Sequence, residues 1–260
     1  MSGIRFFKMN YADPNRIAAT VTVDNNNAEA TSLVNRDPLF IWSSVGSDDT
    51  DTVTLSVDFG TPRTIDSLIL TNNNLRNFTL QYLNGSSVWT NVVNVTANAA
   101  STFYRQFTPV TTQQVRLQMK TTRIADAEKT VQDFIITQSI GQLVGYPVST
   151  FKPDGIQKKK TMLNGKDKFV LSGYSNTITL NFRDHMGTND RDLFNDLVSL
   201  TEAFLIWPSG GDAMQFVHDD IGYRLEDIFL VSVDKGYSHT WTKNLYFSGF
   251  NATLTLSEAA

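Results

Sequence analysis

The sequence predicts a mainly β protein, with an N-terminal jelly-roll β-sandwich followed by a C-terminal β-barrel or split-sheet domain with one packed α-helix. Residues 53–60 alternate apolar and polar side chains, the period of two that places one face of a strand on a core and the other in water. Similar short runs recur between clusters of Gly, Pro, Asn and Thr, as in sandwiches. Only the segment after Thr188 has the spacing of an amphipathic helix.

The first part of the chain contains enough strand-like segments for a complete sandwich. They are residues 17–23, 53–60, 65–70, 78–82, 92–95, 103–107, 115–119 and 134–136. Turn residues such as Gly60, Pro62 and Gly85 separate them. We therefore expect a first domain over residues 1–145.

The pattern changes near residue 145, where glycines, prolines and lysines replace the alternating runs. We expect a linker or hairpin over residues 146–173 and a second domain over residues 174–260. The three lysines at 158–160 lie among aspartates, which favours a solvated face over a nucleic-acid or membrane contact.

The second domain is predicted to contain a strand, a helix and a series of further strands. Residues 177–182 alternate, and a helix follows with Leu193, Phe194, Leu197, Leu200 and Phe204 on one face. The segments after it that have strand-like patterns are residues 204–207, 213–218, 224–233, 237–241 and 245–256.

Composition excludes several classes of function. The 260 residues carry 22 basic and 26 acidic side chains, a net charge of −4, so a nucleic-acid partner is not expected. There is no cysteine, which excludes disulfides and thiolate sites and fits a reducing cytoplasm. No apolar run has the length for membrane insertion, so we expect a soluble protein.

No catalytic or zinc-binding motif is present. The three histidines, His185, His218 and His239, lack the spacing of zinc ligands, and no nucleophile elbow, phosphate loop or dinucleotide fingerprint occurs. We therefore expect that the chain is not an enzyme. The acids after His218 are more typical of a hairpin turn than of a cation site.

The first part of the chain resembles the discoidin-like (galactose-binding-like) family of β-sandwiches. The resemblance is carried by Trp42, residues 57–60, residues 65–70, the turn before Trp89, residues 115–117 and residues 134–136. It implies a jelly roll whose loops at one end contact a sugar. We expect Trp42 and Trp89 to be packing residues rather than ligand platforms.

Several loop residues have the chemistry for sugar recognition, in which amides and arginines bind hydroxyl groups and aromatic rings cover C–H patches. The predicted ligand-binding residues are Asn72, Asn73, Asn74, Arg76, Tyr104 and Arg123. The alternative is structural, since asparagines tolerate left-handed turns and Arg76 is able to cap a carbonyl group.

A structural calcium ion is the one cofactor that the sequence suggests. Asp48, Asp49 and Asp51 precede a strand, and related sugar-binding sandwiches often hold calcium with loop carboxylates and carbonyls. Calcium takes six to eight oxygen ligands. The sequence supplies the carboxylates without showing where the carbonyls lie.

The last ninety or so residues resemble the tail-tube modules of tailed-bacteriophage structural proteins, through residues 204–208 and 250–258. This resemblance implies a tail or baseplate component, assembled in the bacterial host cytoplasm with copies of itself and other virion proteins, that displays a glycan-binding sandwich. The alternative is a stand-alone carbohydrate-binding module protein whose second domain is a structural partner.

Overall fold

The computed structural model describes residues 3–34, 40–143, 150–161, 167–182, 188–208, 228–233, 238–243 and 248–258. Within them the chain is mainly β, as the sequence predicted, with the α-helix α1 at Thr188–Ser199 and a 3-10 helix at Asn27–Leu33 that the sequence analysis missed. No helix in these ranges is long and apolar enough to cross a membrane.

Sixteen strands lie in the described residues. The first ten are β1 Ile4–Phe7, β2 Thr20–Val23, β3 Trp42–Ser43, β4 Val53–Thr71, β5 Leu75–Leu83, β6 Trp89–Val95, β7 Phe103–Thr122, β8 Thr130–Val131, β9 Asp133–Thr137 and β10 Ser139–Leu143. The others are β11 Thr150–Thr161, β12 Asp167–Phe182, β13 Phe204–Trp207, β14 Phe229–Val233, β15 Ser238–Lys243 and β16 Ser248–Glu258.

The chain divides into two compact units, and one of them is discontinuous in sequence. The sandwich unit is Phe7–Ser139, and the second unit combines Met1–Phe6 with Ile140–Ala260. The first residues group with the later part because β1 lies between β10 and β13 in the eight-stranded sheet of the second unit. These bounds differ from the division into 1–145, 146–173 and 174–260 that we expected.

The sandwich unit is built on a six-stranded sheet in the order β2-β4-β7-β5-β6, with β9 also paired to β4. The strand β4 bends at Gly60, where its register with β7 shifts between Asp58 and Arg63. Gly60 has a φ of +71°, and a Cβ there would lie 3.0 Å from the carbonyl oxygen of Ala18. The bend therefore depends on glycine.

A single core fills the sandwich unit. The predicted alternation is confirmed, because Val53, Leu55 and Val57 are buried whereas Thr54 and Ser56 on the other face are not. Trp42 is fully buried in this core, as expected for a packing residue.

The second unit has the order β10-β1-β13-β14-β16-β12-β11, with β15 paired to β16. The hairpin of β11 and β12 pairs from Thr150 with Thr179 to Thr161 with Asp167. It begins in the segment 146–173 that was predicted as a linker or hairpin, and β12 extends past the end of that segment. The described range resumes at residue 228, so the predicted strand 213–218 lies outside it, together with His185 and His218.

The predicted helix is present and buries the expected face. Leu193, Phe194 and Leu197 of α1 are buried against the sheet of the second unit. The helix ends at Ser199, so Phe204 does not lie on its face as we expected; it opens β13, whose four residues are all buried. Apolar residues lie on both sides of residues 201–203. Residues 201–203 are not helical, so they separate α1 from β13.

Candidate functional site

Four loops meet at one end of the sandwich unit, which we call the loop end. They are residues 44–52, 72–74, 96–102 and 123–129. The main-chain N–H of Asn73 donates to the Ser101 carbonyl at 2.9 Å, and that of Arg123 donates to the Asn74 carbonyl at 2.8 Å. The structure therefore brings the predicted residues at 72–74 and 123 together.

Two buried asparagine side chains hold these loops in place. Asn73 is 2% exposed and Asn98 is 8% exposed. The Nδ2 of Asn73 donates to the Ser101 carbonyl at 2.6 Å, and the Nδ2 of Asn98 donates to the carbonyls of Leu75 at 2.8 Å and Ala100 at 2.9 Å. Asn73 is thus turned into the protein, where it satisfies main-chain groups.

Asn74 and Arg123 also bind main-chain groups of the loop end. Asn74 accepts a hydrogen bond at Oδ1 from the N–H of Thr130 at 2.8 Å and donates from Nδ2 to the Glu128 carbonyl at 2.7 Å. Arg123 donates from Nη1 to the Ala100 carbonyl at 2.6 Å. Both side chains therefore fix loop geometry, the structural alternative considered for the asparagines.

Asn72 and Arg76 are the predicted residues that face solvent at this end. Asn72 has a φ of 42°, the left-handed conformation that asparagine tolerates, and donates from Nδ2 to Gln132 Oε1 at 3.1 Å. The Arg76 side chain is exposed near the start of β5. Its guanidinium makes no hydrogen bond or ion pair within the described ranges. Its five N–H donors are available to a ligand.

Tyr104 lies within a strand and not in a loop. It is opposite Ile69 in the pairing of β4 with β7. Its ring packs edge-on against Phe7 with the centroids 5.9 Å apart, and its hydroxyl donates to Gln106 Oε1 at 3.4 Å. Packing against Phe7 accounts for its half-buried ring.

The three aspartates predicted to hold calcium accept hydrogen bonds from nearby groups. Asp48 Oδ1 accepts from the N–H of Thr50 at 2.7 Å, and Asp49 Oδ1 accepts from the N–H of Thr122 at 2.9 Å. Asp51 Oδ2 accepts from the N–H of Asp48 at 3.3 Å. Among the described residues, no three His, Asp or Glu side chains come together in a group able to hold a metal ion.

A lysine that the sequence analysis did not single out lies beside this acidic loop. Lys129 is fully buried, and its Nζ donates to the carbonyl oxygen of Asp48 at 2.6 Å. Its main-chain N–H donates to Ser44 Oγ at 2.8 Å. Lysine is almost never fully buried unless it is paired, so no pattern in the sequence indicated that Lys129 would lie inside the protein.

Hydrogen bonding keeps two carboxylates of the loop end ionised. The main-chain N–H of Gly46, followed by the Ser43 hydroxyl, lowers the pKa of Glu128. The main-chain N–H of Thr122 lowers the pKa of Asp49. At neutral pH both carboxylates are therefore charged acceptors that tie the loops together.

Comparison with known proteins shows what the sandwich unit is similar to. Residues 18–117 match the family model described as NedA-like, galactose-binding domain. The matched segment lies within the sandwich unit, and its similarity to that family supports the resemblance seen in the sequence. No curated protein matches the chain.

Three of the solved structures to which this chain is similar are the following. The family 32 CBM from C. perfringens NanJ in complex with galactose is 16% identical, with 51% of this chain and 99% of that chain covered and a TM-score of 0.43. Chitosan-binding module 1 from a chitosanase/glucanase of Paenibacillus sp. IK-5 is 20% identical, with 49% and 97% covered and a TM-score of 0.41. A Ruminococcus gnavus GH29 fucosidase in complex with fucose is 17% identical, with 52% and 27% covered and a TM-score of 0.43.

Proposed function

We propose that the sandwich unit binds a carbohydrate at its loop end and does not change it chemically. The observation that carries the proposal is the match of residues 18–117 to a galactose-binding domain. A neutral hexose such as galactose is therefore the ligand that we would test first.

The geometry of the loop end supports this function in two ways. Asn73, Asn98 and Arg123 hold the loops with buried or partly buried hydrogen bonds, so the surface is formed before a ligand arrives. Preorganisation lowers the entropic cost of binding. Arg76 and Asn72 then present guanidinium and amide groups to solvent, and these groups bind sugar hydroxyls.

The test is titration of the full chain with galactose and a glycan array, followed by the variants Arg76→Ala and Asn72→Ala. If either variant loses its affinity for a galactose-type ligand, the result supports a binding site at the loop end. Arg105→Ala is the matched control, since Arg105 is an exposed arginine on β7 opposite Leu68 and belongs to none of the four loops. Absence of any glycan signal for the wild-type chain contradicts the proposal.

The assembly role stays a prediction of the sequence. In this prediction the second unit oligomerises within a bacteriophage tail or baseplate, and the sandwich unit is displayed on the particle. The many copies of the sandwich unit would then raise the overall avidity of weak sugar contacts. A chain that remains monomeric at high concentration, with no ring visible by electron microscopy, contradicts it. The expectation that the chain has no enzymatic activity also stays a prediction.

A further inference from the structure

The outer face of the sandwich sheet carries a connected group of side chains away from the loop end. The guanidinium carbon of Arg116 lies 4.3 Å from the ring centroid of Trp89. Arg116 Nε donates to Gln81 Oε1 at 2.6 Å, and Gln81 Nε2 donates to Asn91 Oδ1 at 2.7 Å. This chain of contacts fixes all four side chains, which we call the Trp89 row.

Strand register places the Trp89 row within a polar, nearly uncharged surface. Two lines of paired residues cross β4, β7, β5 and β6 in turn. They are Ser56, Arg116, Gln81 and Asn91, and then Thr54, Gln118, Thr79 and Asn94. Arg116 is the one charged side chain among these eight. The eight residues therefore offer mainly hydroxyl and amide groups, and not a cluster of like charges.

A pocket of about 290 Å³ adjoins this surface where β5 ends. Its lining includes Pro62, Leu83, Gln113 and Gln114. Leu83 and Gln114 each lie two residues from a member of the Trp89 row, and residues two apart in a strand share a face. The pocket therefore continues the surface, and its volume is near the lower end for a small-molecule site.

The amides of the pocket are held in one orientation. Gln114 Nε2 donates to Asp58 Oδ2 at 2.7 Å, and Gln113 Nε2 donates to Asp58 Oδ1 at 3.1 Å. The bond from Gln114 and then the bond from the main-chain N–H of Gly60 lower the pKa of Asp58, and the bond from Gln113 adds to this effect. The Asp58 carboxylate is therefore ionised and repels an anionic ligand. The Oε1 atoms of Gln113 and Gln114 accept no hydrogen bond from the described residues, so they are available to a ligand donor.

We propose that the pocket and the Trp89 row form a second carbohydrate site that takes a neutral oligosaccharide. One sugar unit lies in the pocket, with its C–H groups against Pro62 and Leu83 and its hydroxyls donating to the glutamine Oε1 atoms. The next units lie along the row, where Arg116 and Asn91 bind hydroxyls. The loop end takes no part in this site, so the two proposals fail independently.

The experiment follows the indole N–H signal of Trp89 by NMR in the full chain during titration with lactose and with cellotetraose. We expect a saturable shift with at least one of them. Gln81→Ala should weaken that binding about tenfold, because it removes the bridge between Arg116 and Asn91. Lys120→Ala, on an exposed lysine of the same strand, is the matched control.

The loop-end variant Arg76→Ala separates the two sites. A sugar that shifts the Trp89 indole signal both in the wild-type chain and in Arg76→Ala supports the second site, even if the loop end binds no sugar. A shift that Arg76→Ala removes, or no shift with either sugar, overturns it. A shift produced by inorganic phosphate and by neither sugar overturns the assignment to a neutral ligand. Circular dichroism of each variant tests whether the fold is retained.

Discussion

The buried ammonium group of Lys129 donates a hydrogen bond to the carbonyl oxygen of Asp48 at 2.6 Å. The two residues lie far apart in sequence: Asp48 is in the loop before β4, and Lys129 is in the loop after β7. A cation supplied by the chain thus anchors the acidic loop of the loop end.

Replacing Lys129 with methionine should destabilise the sandwich unit. The change keeps much of the side-chain volume but leaves the Asp48 carbonyl without its donor, at a cost of about 1–3 kcal/mol in the free energy of unfolding. Urea denaturation measures it. Lys120→Met, on an exposed lysine, should change stability by less than about 0.5 kcal/mol. Equal effects of the two variants would contradict a special role for Lys129.

Removal of divalent metal should leave the thermal midpoint of the wild-type chain unchanged. The reason is that the carboxylates of Asp48 and Asp49 already accept hydrogen bonds from Thr50 and Thr122, and the Lys129 ammonium adds positive charge nearby. Differential scanning calorimetry with EDTA and with added calcium tests this. A midpoint that falls with EDTA and returns with calcium would instead support the calcium ion that we predicted at Asp48, Asp49 and Asp51.

Gly60→Ala should destabilise the bend of β4. The φ of +71° disfavours any residue with a Cβ, and that atom would lie 3.0 Å from the backbone oxygen of Ala18, which cannot move aside as a side chain can. We expect a loss of about 1–3 kcal/mol in unfolding free energy. Gly85→Ala is the control, because nothing lies within 4 Å of its added Cβ. Chemical denaturation should show little change for that variant.

Acid should weaken the loop end through Asp49. The N–H of Thr122 lowers the pKa of Asp49 below its ordinary value of 3.8. A lowered pKa in the folded state contributes stability above the ordinary value, and this stability is lost as the pH falls through the folded value. Asp49→Asn removes the titration but keeps an oxygen acceptor. Its unfolding midpoint should therefore fall less than that of the wild type between about pH 7 and about pH 3. A parallel decline in both proteins would contradict the assignment.

Local periodicity was enough to predict many of the elements. The alternation from Val53 to Phe59 and the helical spacing of Leu193, Phe194 and Leu197 each reflect burial of one face, which a short stretch of sequence records. The same applies to the buried strand that begins at Phe204.

Long-range pairing was not predictable in this way. Nothing in residues 4–7 shows that β1 lies beside β10 and β13, because its partners are far along the chain. Likewise, the polar pattern of Asn72, Asn73 and Asn74 does not show which amides turn inward. That depends on carbonyls such as the one of Ser101, which another loop supplies. The burial of Lys129 depends in the same way on the Asp48 carbonyl.

The position of β1 has a consequence for synthesis on the ribosome. This strand is translated before the sandwich unit, yet its sheet neighbours β10 and β13 are translated after it. The sandwich unit is complete once residue 139 has emerged, and its two ends are already joined by the hydrogen bond from Lys8 to Gln138. The sandwich unit is thus able to fold during synthesis, whereas β1 stays without its sheet partners until β10 and β13 have been translated.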